Sequence, residues 1–261
     1  MRQMMKSAAL VFFVFLLNVN LFAQENASEI KEFLEELQKN QQEMRLELQE
    51  IKSLLSRLSL PKPPTAPQQN NINIKDIEFD IGDNPVLGNG NAKLIMVEFT
   101  DYECPFCGRY VRETFPQILQ EYIDKNFLRY AVIDQPLPIH PKAEKAAQAA
   151  HCATDQGKFW EIHKLMMTQQ DSLADLSSYA RALGLDILDF EDCLATEKYK
   201  EKVQNNMEAA RKLGITGVPG FIIGQVDSQN PVSVKGISSI LGAAPFSNFQ
   251  KEIESAIAAN K

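Results

Sequence analysis

The sequence predicts an α/β sheet domain preceded by a separate long helix, and three observations carry that reading. From about Ile72 onward, short apolar runs of strand length alternate with helical stretches, the pattern of strands packed against helices. Between Ala27 and Leu58 the apolar residues recur at alternating three- and four-residue spacing. Between these regions lies Pro61-Lys62-Pro63-Pro64-Thr65-Ala66-Pro67, which cannot continue a helix and favours an extended, semi-rigid spacer. With 44% apolar residues among 261, the chain can bury a sizeable core without metal or disulfide staples. Its 27 Lys and Arg against 34 Asp and Glu give a net charge of -7, and no concentrated basic surface stands out, so nucleic acid is set aside as a partner.

The first element, Met1 to Ala23, reads as a secretory signal peptide. Arg2 and Lys6 precede an uncharged apolar run from Ala8 to Leu17, and small Ala23 precedes polar Gln24-Glu25-Asn26. That run falls well short of the roughly 20 residues of a membrane span. Leu21 is not the small residue expected three positions before cleavage, so an uncleaved membrane anchor stays open as the alternative. The protein is expected to be exported to a periplasmic or other extracytoplasmic compartment.

The second element is the helix. With Ala27 at a, the a positions are Ala27, Leu34, Gln41, Leu48 and Leu55, and the d positions are Ile30, Leu37, Met44, Ile51 and Leu58. Nine of these ten are apolar, which predicts a coiled-coil oligomerisation helix over 27–60 and a homo-oligomer assembled through residues 27–58. Polar Gln41 at a suits a register-fixing role, and Glu47 at g with Lys52 at e has the spacing of an interhelical ion pair. The alternative is an amphipathic helix lying on its own domain, against which the Pro-rich linker at 61–71 argues.

The third element is the domain at 72–261. Lys93 to Thr100 is predicted as a buried strand, Pro105 to Ile123 as a helix and Phe127 to Ile133 as a second strand. A helical stretch follows from about His140 to Leu213, with breaks near Gln156-Gly157, Leu183-Gly184 and Ala195-Thr196. Phe221 to Ile223 and Val232 to Val234 read as a closing hairpin, and Phe246 to Ala258 as the last helix.

Cys104-Pro105-Phe106-Cys107 stands where the first strand ends and a helix begins. The first sulfur is therefore expected at a helix N-terminus, beside unpaired N–H groups and the positive end of the dipole, which favour a thiolate. Cys104 is the predicted nucleophile. Cys107, one turn inward, is the resolving thiol, and Pro105 suits the first turn, where its missing N–H is no loss. The rival reading, half a zinc site, lacks two further ligands at comparable spacing, so no metal is expected. Glu98 sits inside Leu94-Ile95-Met96-Val97-Glu98-Phe99, either as a buried carboxylate that accepts a proton near the resolving thiol or, by strand alternation, as a solvent-facing residue. Val218-Pro219 precedes the strand at Phe221, where an ordinary trans peptide is the expectation from frequency alone. His140, His151 and His163 have no motif and read as structural or surface residues.

Together, Glu98-Phe-Thr-Asp-Tyr-Glu-Cys104-Pro-Phe-Cys107, the helical insertion after the second strand and Val218-Pro219 before a strand resemble the DsbA-like branch of the thioredoxin superfamily. The resemblance covers roughly Ile77 to Ala258 and implies a thioredoxin-like fold with a helical insertion. It implies that Pro219 is cis and faces the active-site disulfide. It also implies that Pro105, Phe106, Val218 and Pro219 meet an extended substrate, and that Glu98 is the family's buried acid. In some members a second pair lies in the insertion, which implies a structural disulfide between Cys152 and Cys193; two separately buried thiols are the alternative. Two departures stand out. Phe106 replaces the histidine typical of the family's strong oxidases, and the predicted coiled-coil arm is similar in purpose to the N-terminal segments of oligomeric isomerases and reductases.

The implied function is a thiol-disulfide oxidoreductase acting on cysteine-containing exported proteins. As an oxidase it turns over through a quinone-linked membrane redox partner; as an isomerase or reductase it requires the reduced pair. No bound cofactor is implied, because the cysteine pair is itself the redox group. A reading from another class is a coiled-coil envelope protein whose thioredoxin-like domain only binds partners.

Overall fold

The computed structural model describes residues 31, 34–50 and 72–260. The chain divides into two compact units, Met1–Pro67 and Gln68–Lys261. In the first, residues 34–50 are helical, and Leu34, Leu37, Met44 and Leu48, all a or d positions, are exposed along with Leu46. The segment read as a signal peptide, the remaining heptad positions at Ala27, Ile30, Ile51, Leu55 and Leu58, and the Pro-rich linker lie outside the described residues.

The second unit is built on a six-stranded sheet in the order β1-β6-β5-β3-β4-β2. Its strands are β1 Glu78–Asp80, β2 Val86–Leu87, β3 Leu94–Thr100, β4 Leu128–Asp134, β5 Gly220–Val226 and β6 Ser233–Leu241. β3 and β4 run parallel and the other pairings are antiparallel. A parallel pair requires a crossover, and the helices that follow Cys104 supply it. Every residue of β3 is buried, because both faces of the sheet are covered. Ile95, Val97 and Phe99 join a core with Ile74, Ile81 and Ile215, whereas Leu94 and Met96 join the larger core with Tyr110, Tyr130 and Phe221. Alternation therefore places Glu98 on the side of the larger core and not in solvent, and its side chain is fully buried.

Residues 105–123, read as one helix, form three pieces: α1 Pro105–Glu113, α2 Phe115–Ile118 and a π-helical turn at Leu119–Ile123. Pro116 explains the break: it has no N–H to donate and its ring crowds the carbonyl four residues back. The insertion comprises α3 Ala143–Thr154, α4 Phe159–Thr168, α5 Leu176–Ala182, α6 Ile187–Ala195 and α7 Lys200–Lys212, and α8 Phe246–Ala259 closes the domain. Gly157 and Gly184, both at positive φ, stand at two of the expected breaks. A further break at residues 169–175 was not legible; there Asp175 caps α5 by accepting from Ser178 N. β6 runs on to Leu241, well beyond the expected Val232–Val234, because Lys235, Gly236, Ser238 and Ser239 disguise a strand that pairs along β5.

Cys152 of α3 and Cys193 of α6 are joined by a disulfide. Beside α3, His151 Nε2 lies 2.7 Å from Asp134 Oδ2 at the end of β4, and Asn206 of α7 donates to the same oxygen at 2.8 Å. These buried polar groups tie the insertion to the sheet.

Candidate active site

The site begins at the C-terminal end of β3, where a buried apolar strand gives way to Asp101-Tyr102-Glu103 and then to the head of α1. Cys104 is the N-cap of α1, in extended conformation with φ -74° and ψ 119°, and Pro105 opens the helix. The Asp101 side chain shapes the turn. Its Oδ1 accepts from Glu103 N at 2.8 Å, and its backbone carbonyl accepts from Cys104 N at 3.1 Å.

From the far side, Gln170 Nε2 donates to the carbonyls of both Tyr102 and Cys104 at 2.8 Å. The approach of this residue to α1 requires Gly108, since a Cβ there would lie 2.8 Å from Gln170 Cδ and 2.7 Å from the Met167 carbonyl oxygen. Val218-Pro219 is a cis peptide, and the Val218 carbonyl accepts from Cys104 Sγ at 3.8 Å. Pro219 is anchored by Gly242 N, which donates to its carbonyl at 2.7 Å. Phe106 projects into solvent at 54% exposure, with the Arg109 guanidinium 5.3 Å from its ring centre.

The two cysteines share a helix but not an environment. The hydrogen bond from Cys107 pulls the Cys104 thiol down to about 6; burial opposes this, and the backbone N–H groups of Cys107 and Phe106 assist it. Burial pushes the Cys107 thiol well above its ordinary value, and the charges of Cys104 and Glu98 push the same way. A thiolate is thus favoured at Cys104 and a protonated thiol at Cys107.

Glu98 is near enough for its charge to raise the Cys107 thiol. Burial raises its carboxyl to about 7 despite the neighbouring Tyr130 and Thr100 hydroxyls, and Tyr130 donates a close hydrogen bond to Oε2. The site therefore holds one thiol that ionises readily, a second that resists ionisation and a carboxyl able to exchange a proton near neutrality. Cys104, Cys107, Glu98, Val218 and Pro219 come together here, with Pro105 and Phe106 on the exposed lip, whereas Cys152 and Cys193 lie in the insertion.

Sequence reasoning missed Tyr130, Gln170 and His140. His140 Nδ1 lies 2.7 Å from Asp101 Oδ2. The other two histidines are buried: His151 against Asp134, and His163 with Nδ1 3.0 Å from the Tyr102 hydroxyl. Burial lowers the His163 imidazole to about 4, so it is neutral at physiological pH. No spacing in the chain announces any of these partners, which meet only through the crossover and the insertion.

Residues 80–243 match the family described as "Thioredoxin". A "Putative protein-disulfide oxidoreductase" of Rickettsia felis is 30% identical over 193 residues, covering 69% of this chain and 68% of the relative. "Na(+)/H(+) antiporter NhaA 3" of Salinispora tropica is 33% identical over 162 residues, covering 61% of this chain; the chain spans only 24% of that longer protein. The crystal structure of Wolbachia pipientis alpha-DsbA1 superposes with a TM-score of 0.59 at 25% identity, covering 69% of this chain and 93% of that one.

Proposed function

The chain belongs to the thioredoxin family, within its DsbA-like branch of thiol-disulfide oxidoreductases, and on that premise we propose that it oxidises cysteine pairs in exported proteins through Cys104 and Cys107. The observation that carries this reading is the opposed environment of the two sulfurs, one favouring a thiolate and one a protonated thiol. Stabilising the Cys104 thiolate stabilises the dithiol relative to the disulfide, which makes the disulfide an oxidant.

In the proposed cycle a client thiolate attacks Cys104 of the Cys104–Cys107 disulfide. The client–Cys104 bond forms, the Cys104–Cys107 bond breaks, and Cys107 departs with the electron pair and takes a proton from Glu98. A second client thiolate then attacks the client sulfur, forming the client disulfide and releasing Cys104 as thiolate. Two electrons have moved from the client to the enzyme dithiol, and a quinone-linked membrane partner removes them. Phe106, Pro105 and the Val218-Pro219 edge meet the extended client, and no cofactor beyond the cysteine pair takes part. Export and a periplasmic or extracytoplasmic location belong to the same proposal and rest on the character of Met1 to Ala23.

A second reading, an oligomeric isomerase or reductase, is favoured by the exposed apolar a and d residues of the N-terminal helix, the face through which copies of the chain would associate. Equilibration of Cys104–Cys107 with glutathione, run beside refolding of a scrambled substrate, separates the two. An oxidase is expected to have a potential well above the roughly -270 mV of a thioredoxin-type dithiol. Isomerase activity that is lost on removal of residues 27–58, or a potential at or below that value, would overturn the oxidase reading in favour of the second.

A further inference from the structure

One charged pair beside Cys104 has no part in the exchange itself. Asp101 is fully buried, and its carboxylate collects Glu103 N at 2.8 Å on one oxygen, with Leu137 N at 2.8 Å and His140 Nδ1 at 2.7 Å on the other. This buried acid occupies the turn that delivers Cys104, to which it is tied through the Cys104 N–H. A negative charge there opposes ionisation of the thiol, and Asp101 does push the Cys104 thiol upward. Phe106 brings no compensating charge to the motif. His140, when protonated, brings one from the loop leading into α3, with its side chain only 16% exposed.

We propose that His140 is a positioning residue for the redox centre: protonated and held on Asp101, it cancels the carboxylate's field at Cys104, so its charge sets the thiolate population and the potential of the pair. The inference rests on the dithiol reading above and adds a regulatory residue to it. The charged groups facing His140 are Asp101 and Glu103 of the turn and Cys104 at the head of α1; Glu103 also accepts from Lys142 N at 2.7 Å. Burial by itself would lower the His140 imidazole, but the hydrogen bond and charge of Asp101, then Cys104 and Glu103, raise it above its ordinary value. The coupling runs both ways, so the thiolate must hold a proton on His140 as firmly as His140 holds the charge on the thiolate.

Two measurements on the full chain test this. The first follows Cys104 ionisation by thiolate absorbance in the wild type, His140→Gln, Asp101→Asn and the double variant, with the glutathione equilibrium read on each. His140→Gln is expected to weaken Cys104 acidity by about threefold or more, the effect of one nearby partly buried charge, and to favour the disulfide by a similar factor. In the Asp101→Asn background the same substitution should do nothing further. The second follows the His140 imidazole by NMR in the wild type and needs no variant to fold: its pKa should fall when Cys104 and Cys107 are oxidised and the thiolate disappears. A folded His140→Gln protein with an unchanged Cys104 titration, or a His140 titration identical in dithiol and disulfide, would overturn the proposal. Failure of the dithiol reading would show elsewhere, as exchange activity that survives Cys104→Ser.

Discussion

Cys104 and Cys107 are separated by one helical turn, and that turn carries one sulfur from the helix mouth into the core. The strand-then-proline sequence made the position of the first cysteine legible, because an apolar run followed by Cys-Pro leaves a single place for the helix to start. Glu98 was legible only as a choice between core and solvent, which depends on whether both faces of β3 are covered. Its partner Tyr130 depends on the parallel register in which Met96 stands opposite Tyr130, and no local pattern encodes that register. The raised Glu98 carboxyl has a consequence for stability. Its value near 7 exceeds that of an unfolded glutamate near 4.5, so its contribution is full below the lower value and is lost as pH rises through the higher one. Glu98→Gln is therefore expected to gain stability relative to wild type between pH 5 and 8, by roughly 1–3 kcal/mol, while slowing the release of Cys107. Chemical denaturation at the two pH values checks the first part; an unchanged difference would remove the buried-carboxyl account.

At the scale of elements, the central strand, the first helix start and the glycine breaks of the insertion were readable because each has a local physical cause. Most of what escaped was tertiary in origin. β1 and β2 span only three and two residues and exist because β6 and β4 offer them an edge, and β6 itself hides behind serine, lysine and glycine. The break at Thr114 had its cause in plain view, since Pro116 cannot sit inside an uninterrupted helix. The disulfide between Cys152 and Cys193 links α3 to α6 across a sequence separation of 41 residues. Replacing both cysteines with alanine is expected to cost about 2–4 kcal/mol of stability by releasing that loop in the unfolded chain. Because neither sulfur belongs to the site around Cys104, the potential of the Cys104–Cys107 pair should stay within experimental error of wild type. A large shift in potential without loss of stability would contradict the division into a redox pair and a structural pair.

At the scale of the whole molecule, the N-terminal helix carries Leu34, Leu37, Met44 and Leu48 in solvent, at heptad positions where a second helix would bury them. Light scattering is expected to give an oligomer for the chain without its first 23 residues and a monomer after deletion through residue 67, with the Cys104–Cys107 potential unchanged; a monomer in both cases would end the coiled-coil account. The central claim concerns Cys104 as the attacked and attacking sulfur, and trapping tests it most directly. Cys107→Ser removes the resolving thiol, so a disulfide-bearing peptide offered to the reduced variant should remain attached. Peptide mapping by mass spectrometry is expected to find it on Cys104, with attachment abolished in Cys104→Ser. Attachment at another residue, or none at all, would contradict the account.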